Sequence, residues 1–507
     1  MGMIEILNPA TGEVIGEVQE KTSEEITAAM KRAREAFPAW RDMPLEQRLG
    51  YVARVREYLV EHMETLAQKI VQDTGKVLLE AMMTEIFTTA DFMKHYEKHA
   101  AGILAPKKVG TPIVLFGRRS EIQYRPMGVV AVISPWNYPL QLAMVPAISA
   151  LIAGNTVLLK PSEVTPLTGL IMEEILNAGG FPEGVVQVLH GGKEVGQTLV
   201  DAKPDKIFFT GSVATGKKIM AQAAQHLIPV ELELGGKDPM IVFADADLER
   251  AANAAVWGAF TNAGQTCMAV ERVYVESSIF DRFVGIVKAK TEQLRVGTGE
   301  EADMGSMTFP HQLSIVEEHL ADAVAKGATI LTGGKRLNEK TLHFPPTLLT
   351  NVDHTMKIMN DETFGPVLPI MPFRDESEAL RLANDSPFGL NSSVWSRDTT
   401  KARRVAGKIE SGNVCINDVI VSVANPHLPF GGIKESGMGR YHGEEGLITF
   451  CHVTSIIESP GKKASEINWY PYTPKKREAF QTLMQFYGKQ IKASVGGVNN
   501  LLREFFK

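Results

Sequence analysis

The chain has 507 residues, of which 44% are hydrophobic and 22% charged, and a formal net charge of −6. This length exceeds what one hydrophobic core usually supports and favours a two-domain protein, while the composition excludes a disordered, collagen-like or disulfide-scaffold chain. The acidic balance gives no global reason to expect nucleic acid or an anionic membrane as the main partner.

The first residues, MGMIEILNPATGEVIGEV, lack the basic segment followed by an apolar one that marks a secretory signal. The chain contains three cysteines, Cys267, Cys415 and Cys451, and no C-x-x-C pair. This pattern argues against a disulfide framework and a cysteine-rich zinc site. We therefore expect a reducing, cytoplasmic compartment and no metal centre.

The N-terminal part of the chain is predicted to be mainly helical. A short strand and turn at Asn8–Gly12 come first, and apolar residues then follow helical spacing at 24–38 and 45–72. From Pro126 to Leu159 no residue is charged, which is long enough to suggest a membrane span. Several prolines would interrupt such a helix, so the run is predicted to be a buried strand, a loop and a helix.

From residue 128 onward, apolar runs bounded by Pro, Gly or Ser alternate with segments of helix length. The first runs are GVVAVIS, NTVLLK and VVQVLH, and a second series near Met240 includes PMIVFADA, RVYVESS, TILTGG and the helix-like DESEALRLANDS. The first series predicts a parallel sheet flanked by helices, as in nucleotide-binding domains. The second predicts another α/β unit.

The segment Lys206–Ser212 is predicted to be a strand that enters a glycine turn, with Gly216 near the start of the next helix. Such a turn directs backbone N–H groups and a helix N-terminus at an anion, which suits a pyrophosphate. The segment lacks the G-x-G-x-x-G fingerprint. On its own, an ordinary strand-to-helix turn explains it equally well.

Two residues with reactive groups are ambiguous when they are taken singly. Cys267 lies in the glycine-containing segment NAGQTCM, where a small buried hydrophobic residue is the commoner interpretation. Glu233 shares the polar face of an alternating strand with Glu231, so a surface carboxylate is the simpler interpretation.

Taken together and in order, seven motifs resemble those of the aldehyde dehydrogenase superfamily. The resemblance spans residues 5 to 458. The motifs are SPWNYP at 134–139, KPSE at 160–163, FTGS at 209–212 with Gly216, ELGG at 233–236, GQTC at 264–267, ETFGP at 362–366, and PFGG at 429–432 leading into ESG at 435–437.

The resemblance implies NAD(P)-dependent oxidation of an aldehyde to the carboxylic acid through a hemithioacetal and a thioester on Cys267. Cys267 would be the nucleophile, and the Asn137 amide together with the backbone N–H of Cys267 would stabilise the oxyanion. Glu233 would activate the hydrolytic water. The presence of this glutamate argues against the CoA-acylating branch, in which a thiol replaces water.

The resemblance also implies a set of residues around the cofactor. Lys160 and Glu163 would bind the adenosine ribose, where a carboxylate accepts hydrogen bonds from ribose hydroxyls and repels a 2′-phosphate. NAD is therefore favoured, with NADP as the alternative because Lys160 could receive a phosphate. Glu362 would hold the nicotinamide ribose and Phe364 would pack beside the ring. The implied cofactor-binding residues are Trp136, Lys160, Ser162, Glu163, Gly211, Ser212, Gly216, Leu234, Glu362 and Phe364.

The substrate pocket implied by the resemblance is apolar, which favours an aliphatic or aromatic aldehyde over a dicarboxylic semialdehyde. Arg272 resembles a carboxylate clamp, but an arginine at this place in the family is more often structural. A semialdehyde-specific dehydrogenase and a catalytically idle dinucleotide-binding protein remain the alternatives. The implied pocket residues are Trp136, Leu142, Met268, Phe430 and the loop Ile420–His427.

The predicted fold is α/β, with a Rossmann-like dinucleotide-binding domain, an α/β catalytic domain and a small β oligomerisation element. A homodimer or homotetramer is expected by resemblance, with Ser120–Met127 and Thr454–Ser459 as candidate interface strands. The predicted boundaries are 1–119 and 128–234 for the discontinuous NAD-binding domain, 235–428 for the catalytic domain, 120–127 and 440–460 for the oligomerisation strands, and 461–507 for a C-terminal tail.

The tail extends past the resemblance and has an amphipathic, basic pattern. Residues 475–507 carry seven Lys or Arg against two Glu. A basic amphipathic helix can lie on an anionic membrane surface, so peripheral membrane contact is one interpretation and packing on the protein itself or a neighbouring subunit is the other. Two apolar sets carry the pattern, the first at Phe480, Leu483, Met484, Tyr487 and Ile491, and the second at Val498, Leu501, Leu502 and Phe505.

Overall fold

The computed structural model describes residues 2–112, 115, 117–466 and 468–488. The chain divides into two compact units, the first formed by Met1–Pro106 and Gln123–Thr454 and the second by Lys107–Ile122 and Ser455–Lys507. Both large parallel sheets lie in the first unit. The boundary predicted near residue 235 therefore separates two sheets within one unit.

The strands form four sheets in the described part of the chain. In chain order they are β1 (Met3–Leu7), β2 (Val14–Gln19), β3 (Lys107–Val109), β4 (Arg119–Pro126), β5 (Val129–Ile133), β6 (Thr156–Lys160), β7 (Val186–Val188), β8 (Lys206–Thr210), β9 (Val230–Glu233), β10 (Asp238–Val242), β11 (Val270–Glu276), β12 (Thr329–Thr332), β13 (Thr347–Thr350), β14 (Val367–Phe373), β15 (Asn391–Trp395), β16 (Asn413–Ile416), β17 (Gly437–Met438) and β18 (Cys451–Glu458).

Helices connect and cover these strands. They are α1 (Ser23–Asp42), α2 (Leu45–Glu61), α3 (Met63–Thr74), α4 (Leu78–Glu80), α5 (Thr88–Leu104), α6 (Gln141–Ile152), α7 (Pro166–Gly179), α8 (Lys193–Asp201), α9 (Val213–Ala224), α10 (Leu248–Phe260), α11 (Phe280–Thr291), α12 (Pro310–Ala325), α13 (Lys357–Asn360), α14 (Glu376–Asn384), α15 (Thr399–Ala406), α16 (Glu445–Ile448) and α17 (Pro474–Gly488), with a π-helical segment at Ala81–Phe87.

The first large sheet has the strand order β17-β9-β8-β5-β6-β7, with β5 to β9 parallel and β17 antiparallel to β9. Every residue of β5, β6 and β8 is buried. Burial of both faces is expected when helices cover a parallel sheet, and it explains why these strands are continuous apolar runs. The predicted Rossmann-like architecture is confirmed.

The charge-free run from Pro126 to Leu159 forms β5, a loop, α6 and most of β6, as predicted. Within the described residues, no helix is both long and apolar enough to cross a membrane. The helix predicted at 45–72 is interrupted at His62, which ends α2 and precedes α3.

The second large sheet has the order β12-β13-β14-β11-β10-β15-β16 and is parallel except for β12, which pairs antiparallel with β13. The predicted strands PMIVFADA, RVYVESS and TILTGG correspond to β10, β11 and β12, and DESEALRLANDS contains α14. The second α/β unit predicted from the sequence is therefore present.

A three-stranded sheet has the order β18-β4-β3. Strand β4 coincides closely with the predicted 120–127 strand. The other predicted interface strand, within 440–460, is confined to Cys451–Glu458, because Glu445–Ile448 is helical and only an isolated bridge involves Tyr441. The range 440–460 was therefore too wide for a strand.

The C-terminal tail contains α17, which begins at Pro474 and includes the predicted positions Phe480 and Met484. The side chain of Met484 is 68% exposed and that of Phe480 is 41% exposed. Ile491 and the second predicted apolar set at 498–505 lie outside the described residues.

A buried ion pair links the N-terminal helices to the start of α6. Lys76 Nζ lies 2.6 Å from Glu85 Oε1, and both side chains are 0% exposed. The second oxygen of Glu85 accepts hydrogen bonds from the backbone N–H groups of Leu140 and Gln141, at 3.1 and 3.0 Å. The glutamate therefore satisfies N–H groups that an α-helix leaves free at its first turn.

Replacement of Lys76 by Met should lower the free energy of unfolding by about 3–5 kcal/mol, because it leaves the Glu85 carboxylate buried without its counter-ion. Urea denaturation followed by circular dichroism measures the change. Lys31→Met is the matched control, since its partner Glu35 and Lys31 itself are exposed, and it should change stability by no more than about 0.5 kcal/mol. Equal effects of the two substitutions would contradict this account.

Candidate active site

Many of the predicted site residues follow the carboxyl ends of four parallel strands of the first large sheet, or lie at those ends, whereas Cys267 precedes β11 and Glu362 precedes β14 in the second sheet. Carboxyl ends of parallel strands share one edge, and ligands of open α/β sheets bind at that edge. In chain order, Trp136 and Asn137 follow β5, Lys160 ends β6 and is followed by Ser162 and Glu163, Gly211, Ser212 and Gly216 follow β8, and Glu233 ends β9 and is followed by Leu234.

The turn between β8 and α9 has the predicted strand-turn-helix form. Ser212 is the N-cap of α9, and its hydroxyl accepts a hydrogen bond from Thr215 N at 3.3 Å. A Cβ added at Gly216 would lie 2.7 Å from Leu234 Cδ2. Glycine at this position therefore allows the helix to pack closely against the residue that follows β9. The first turn of α9 has the geometry of an anion-binding helix N-terminus.

At the end of β6, Lys160 and Glu163 form an ion pair with an Nζ–Oε2 distance of 2.8 Å. The lysine side chain is 6% exposed and that of the glutamate is 42% exposed. The Ser162 hydroxyl accepts a hydrogen bond from Val164 N at 3.2 Å. The pair therefore presents a carboxylate outward, while the ammonium group is held behind it.

The Glu362 carboxylate lies against the glycine pair that follows β9. Its Oε1 accepts a hydrogen bond from Gly236 N at 3.1 Å. A Cβ added at Gly235 would lie 2.2 Å from Glu362 Oε2, so any side chain there would displace the carboxylate. Burial, together with the negative charge of Glu271, raises the pKa of Glu362 to about 8.

Glu271 and Lys237 hold the segment that carries Glu362 and Phe364, and neither was singled out from the sequence. Glu271 pairs with Lys237 in the interior and accepts hydrogen bonds from the backbone N–H groups of Thr363 and Phe364, at 2.9 and 3.2 Å. Phe364 has a φ of +50°, and its ring lies 5.4 Å from that of Trp136 at an interplanar angle of 85°. The buried carboxylate therefore supports a strained residue.

Cys267 follows a segment with three consecutive left-handed residues. The φ values of Asn262, Ala263 and Gly264 are +51°, +53° and +73°. A Cβ added at Gly264 would lie 2.2 Å from the carbonyl oxygen of Gly365, so two of the sequence motifs pack backbone against backbone. Cys267 is therefore preceded by an irregular turn.

The Asn137 side chain lies against the same segment. Its Nδ2 donates a hydrogen bond to the carbonyl of Gln265 at 3.0 Å. The backbone carbonyl of Asn137 accepts hydrogen bonds from Lys76 Nζ and Asn262 Nδ2, each at 2.9 Å. These contacts fix the amide, which has a second N–H to donate.

Cys267 is half-buried as a residue, and the pKa of its thiol is raised well above the usual range. Burial is the main cause, followed by the carboxylates of Glu362, Asp238 and Glu233. Each of these negative charges opposes formation of a thiolate. The thiol therefore needs a nearby base to become a nucleophile near neutral pH.

Glu233 is buried, and its Oε1 has no hydrogen-bond partner among the described residues. Burial and repulsion from Glu231 raise its pKa well above the usual range, against a smaller lowering by Arg440. A Cβ added at Gly431 would lie 2.9 Å from Glu233 Oε1. A carboxyl group in this state can accept a proton near neutral pH.

The surface interpretation of strand β9 is wrong. Glu231 is also buried, and its Oε2 contacts Lys206 Nζ at 3.0 Å and the Thr449 hydroxyl at 2.6 Å. An ion pair therefore neutralises Glu231, whereas Glu233 forms no ion pair among the described residues. Two glutamates separated by one residue in sequence have different environments.

The predicted pocket residues Leu142, Met268 and Phe430 are all buried, and Met268 and Phe430 belong to one apolar cluster. In the predicted loop, Ile420 has a φ of +63° and precedes a short 3₁₀ helix at Val421–Ala424. The apolar character expected of these residues fits their packing.

Arg272 has a structural role, as expected. Its guanidinium is buried and donates to the carbonyl oxygens of surrounding loops and to the Tyr274 hydroxyl. The carbonyl acceptors are those of Lys237, Leu382, Ala383 and Asp385. These hydrogen bonds occupy the guanidinium, which is therefore not a clamp for a substrate carboxylate.

Comparison with known proteins agrees with this arrangement. A family model described as Aldehyde dehydrogenase family matches residues 2–456. A 4,4'-diapolycopene aldehyde oxidase from Methylomonas sp is 42% identical over 509 residues, covering 100% of this chain and 96% of that protein. A glutarate-semialdehyde dehydrogenase from Pseudomonas aeruginosa is 37% identical over 454 residues, covering 89% of this chain and 93% of that protein.

Among solved structures, betaine aldehyde dehydrogenase from Staphylococcus aureus in complex with NAD+ superposes with a TM-score of 0.87 at 36% identity, covering 93% of this chain and 94% of that chain. The family match, the relatives and the fold agree with the resemblance seen in the sequence motifs. The chain belongs to the aldehyde dehydrogenase family and is an NAD(P)-dependent aldehyde dehydrogenase.

Proposed function

We propose that Cys267 is the nucleophile and Glu233 the general base of a hydrolytic aldehyde oxidation. The proposal rests on the environment of Glu233. This buried carboxyl group has an oxygen without a hydrogen-bond partner among the described residues, and its pKa is raised. Its negative charge also raises the pKa of the Cys267 thiol. Raised carboxyl pKa values of this kind suit proton transfer near neutral pH.

In the first step, the Cys267 thiol gives its proton to one of the neighbouring carboxylates, Glu362, Asp238 or Glu233, and Sγ forms a bond to the aldehyde carbon. The carbonyl oxygen becomes an alkoxide, which needs donors already in place. The free N–H of the Asn137 amide and the backbone N–H of Cys267 are the proposed donors. Removal of one such donor costs about 10²–10³ in rate in other enzymes.

NAD(P), when bound, would accept the hydride that leaves the substrate carbon. Loss of this hydride turns the adduct on Cys267 into a thioester. The chain has a suitable binding edge, because Lys160–Glu163, the first turn of α9 and Glu362 lie at or beside the carboxyl ends of the parallel strands. The close approach of Glu362 to Gly235 and Gly236 suits a carboxylate that accepts hydrogen bonds from the hydroxyls of a ribose. We propose Phe364 and Trp136 as the residues beside the nicotinamide.

We propose that the enzyme prefers NAD to NADP. Lys160 already pairs with Glu163 at 2.8 Å, and the exposed part of that pair is the carboxylate. A carboxylate accepts hydrogen bonds from the hydroxyls of NAD and repels the additional phosphate of NADP.

In the last step, Glu233 removes a proton from water, the oxygen attacks the thioester carbon, and the bond to Sγ breaks to release the carboxylic acid. Glu233 must be ionised to act as the base. Because its pKa is raised, the ionised fraction increases as the pH rises through that pKa. Hydrolysis of the thioester should therefore accelerate with pH.

Replacement of Glu233 by Gln should leave a burst of NADH and then slow steady turnover by about 10²–10⁴-fold, because acylation persists while water is no longer activated. The alkaline rise in the steady-state rate should also be lost. Stopped-flow absorbance measures both phases. Cys267→Ala is the control and should remove the burst altogether. A Glu233→Gln enzyme with wild-type steady turnover would exclude Glu233 as the base.

We propose a long, apolar aldehyde as the substrate. Leu142, Met268 and Phe430 are buried apolar side chains, and Arg272 is occupied by backbone carbonyls. The relative named 4,4'-diapolycopene aldehyde oxidase aligns with 100% of this chain, including the tail. The relative named glutarate-semialdehyde dehydrogenase favours the second candidate, a semialdehyde.

A panel of hexanal, decanal, a polyene aldehyde and succinic semialdehyde distinguishes the two substrate classes. Each additional buried CH₂ contributes about 0.8 kcal/mol, so the four additional CH₂ groups of decanal should raise kcat/KM by up to about 10²-fold over hexanal. Succinic semialdehyde should be the poorest substrate. NADH and NADPH formation are followed at 340 nm in parallel. A preference for succinic semialdehyde would refute the apolar pocket.

We propose that the tail contacts an anionic membrane surface. Trp469, Tyr470 and Tyr472 are 54%, 78% and 70% exposed, and the basic residues Lys475 to Arg477 follow them. Exposed aromatic and basic residues together suit the interface between lipid headgroups and water. Such contact would bring a cytoplasmic enzyme to an apolar aldehyde. A homodimer or homotetramer that uses β4 and β18 is proposed as its assembly.

Deletion of residues 475–507 should abolish cosedimentation with phosphatidylglycerol vesicles, because it removes a net charge of +5 together with the apolar helical face. Turnover of hexanal should remain. Phosphatidylcholine vesicles are the control and should bind the full chain more weakly. Equal cosedimentation of the full and truncated chains would show that the tail packs on protein instead.

A further inference from the structure

Three imidazoles converge outside the proposed active site. Their ligand nitrogens all lie within 4.8 Å of one another. The ring centroids are 4.6 Å apart for His95 and His99, 4.4 Å for His95 and His427, and 5.3 Å for His99 and His427. No metal centre is expected from the sequence, because its three cysteines form no C-x-x-C pair.

The backbone positions of the three histidines are fixed by elements of the fold. His95 and His99 lie four residues apart on α5 and therefore share one face of that helix. The backbone N–H of His427 donates to Asn425 Oδ1 at 3.0 Å. The carbonyl of Pro426 accepts a hydrogen bond from Gly443 N, also at 3.0 Å. The rings are thus brought together by a helix and an anchored turn.

The polar atoms of the three rings have little else to bind. His95 is buried, His99 is half-buried and His427 is exposed. Among the described residues, none forms a hydrogen bond with these ring nitrogens. An imidazole without a proton on one ring nitrogen has a lone pair there that can bind a metal ion, and three such nitrogens meet in this cluster. A shared cation would satisfy them.

We propose that His95, His99 and His427 bind one divalent transition-metal ion of the zinc class. Imidazole nitrogens at about 2.0–2.1 Å from a tetrahedral zinc are separated by about 3.4 Å, so small rotations of the side chains complete the site. The exposure of His427 leaves the fourth position to water. Zinc, copper and nickel all favour imidazole ligands.

The site would act on the loop Ile420–His427. Beyond His427 the chain continues through Pro429 and Phe430 to Gly431, which packs against the Glu233 carboxylate. A metal would tie the end of this loop to α5 and restrict its motion. We therefore infer a structural clamp beside the active site, with no part in the covalent chemistry.

Zinc binding is tested in the full-length Cys267→Ala enzyme, so that the Cys267 thiol does not compete for the ion. The parent should retain one zinc per chain after dialysis, and a chromogenic chelator measures its affinity by competition. His99→Ala and His427→Ala should each weaken binding at least about tenfold, since each removes a direct ligand. His226→Ala, at an exposed histidine beyond α9, is the matched control and should bind as the parent does.

A second measurement distinguishes loss of the zinc site from misfolding of a variant. Zinc should raise the thermal unfolding temperature of the parent and of His226→Ala, because an ion that binds only the folded state stabilises it. Zinc should leave the unfolding temperatures of His99→Ala and His427→Ala unchanged. The circular dichroism spectra of both variants should match that of the parent. Absence of stoichiometric zinc in the parent, or equal affinity in the histidine variants and the control, would overturn the proposal.

Discussion

The proposed chemistry depends on glycines that let two carboxylates and the backbone of Cys267 approach closely. A Cβ would lie 2.2 Å from Glu362 at position 235, 2.4 Å from the carbonyl of Cys267 at position 236, and 2.9 Å from Glu233 at position 431. Glycine at these positions lets the ionisable groups enter one buried space. There, burial and mutual repulsion raise their pKa values.

This arrangement makes the thiol and the carboxyl groups hold their protons more strongly than they would in water. A thiol that is hard to ionise is also protected from non-productive oxidation, since the thiolate is the reactive species. The same carboxylates that oppose thiolate formation can accept its proton. Glu231 is excluded from this exchange because Lys206 neutralises it, so Glu233 is the carboxylate of β9 that we propose activates the hydrolytic water.

The parallel sheets explain how segments that are far apart in the sequence meet at the proposed active site. Strands β5, β6, β8 and β9 end at the same edge, and the loops that follow them carry most of the proposed binding residues. Rigid supports hold the loops. Lys76 binds the carbonyl of Asn137, and Glu271 binds the backbone of Thr363 and Phe364.

The strands, the helices and the glycine turn after β8 could be predicted because apolar periodicity and turn residues are local signals. The motifs around Cys267 and Glu233 were equally visible. The burial of Glu231 and Glu233 could not be predicted, since β17 and Thr449 cover β9 from far along the chain. The convergence of His427 with α5 and the support from Glu271 likewise arise only from tertiary contacts.

Intact-mass spectrometry of the Glu233→Gln enzyme, quenched with acid during turnover of decanal and NAD, tests the central claim most directly. We predict a mass increase equal to decanal minus two hydrogens, mapped by peptide analysis to Cys267. An unmodified enzyme that has produced NADH, or an adduct on Cys415 or Cys451, would contradict acylation of Cys267 and hydrolysis by Glu233.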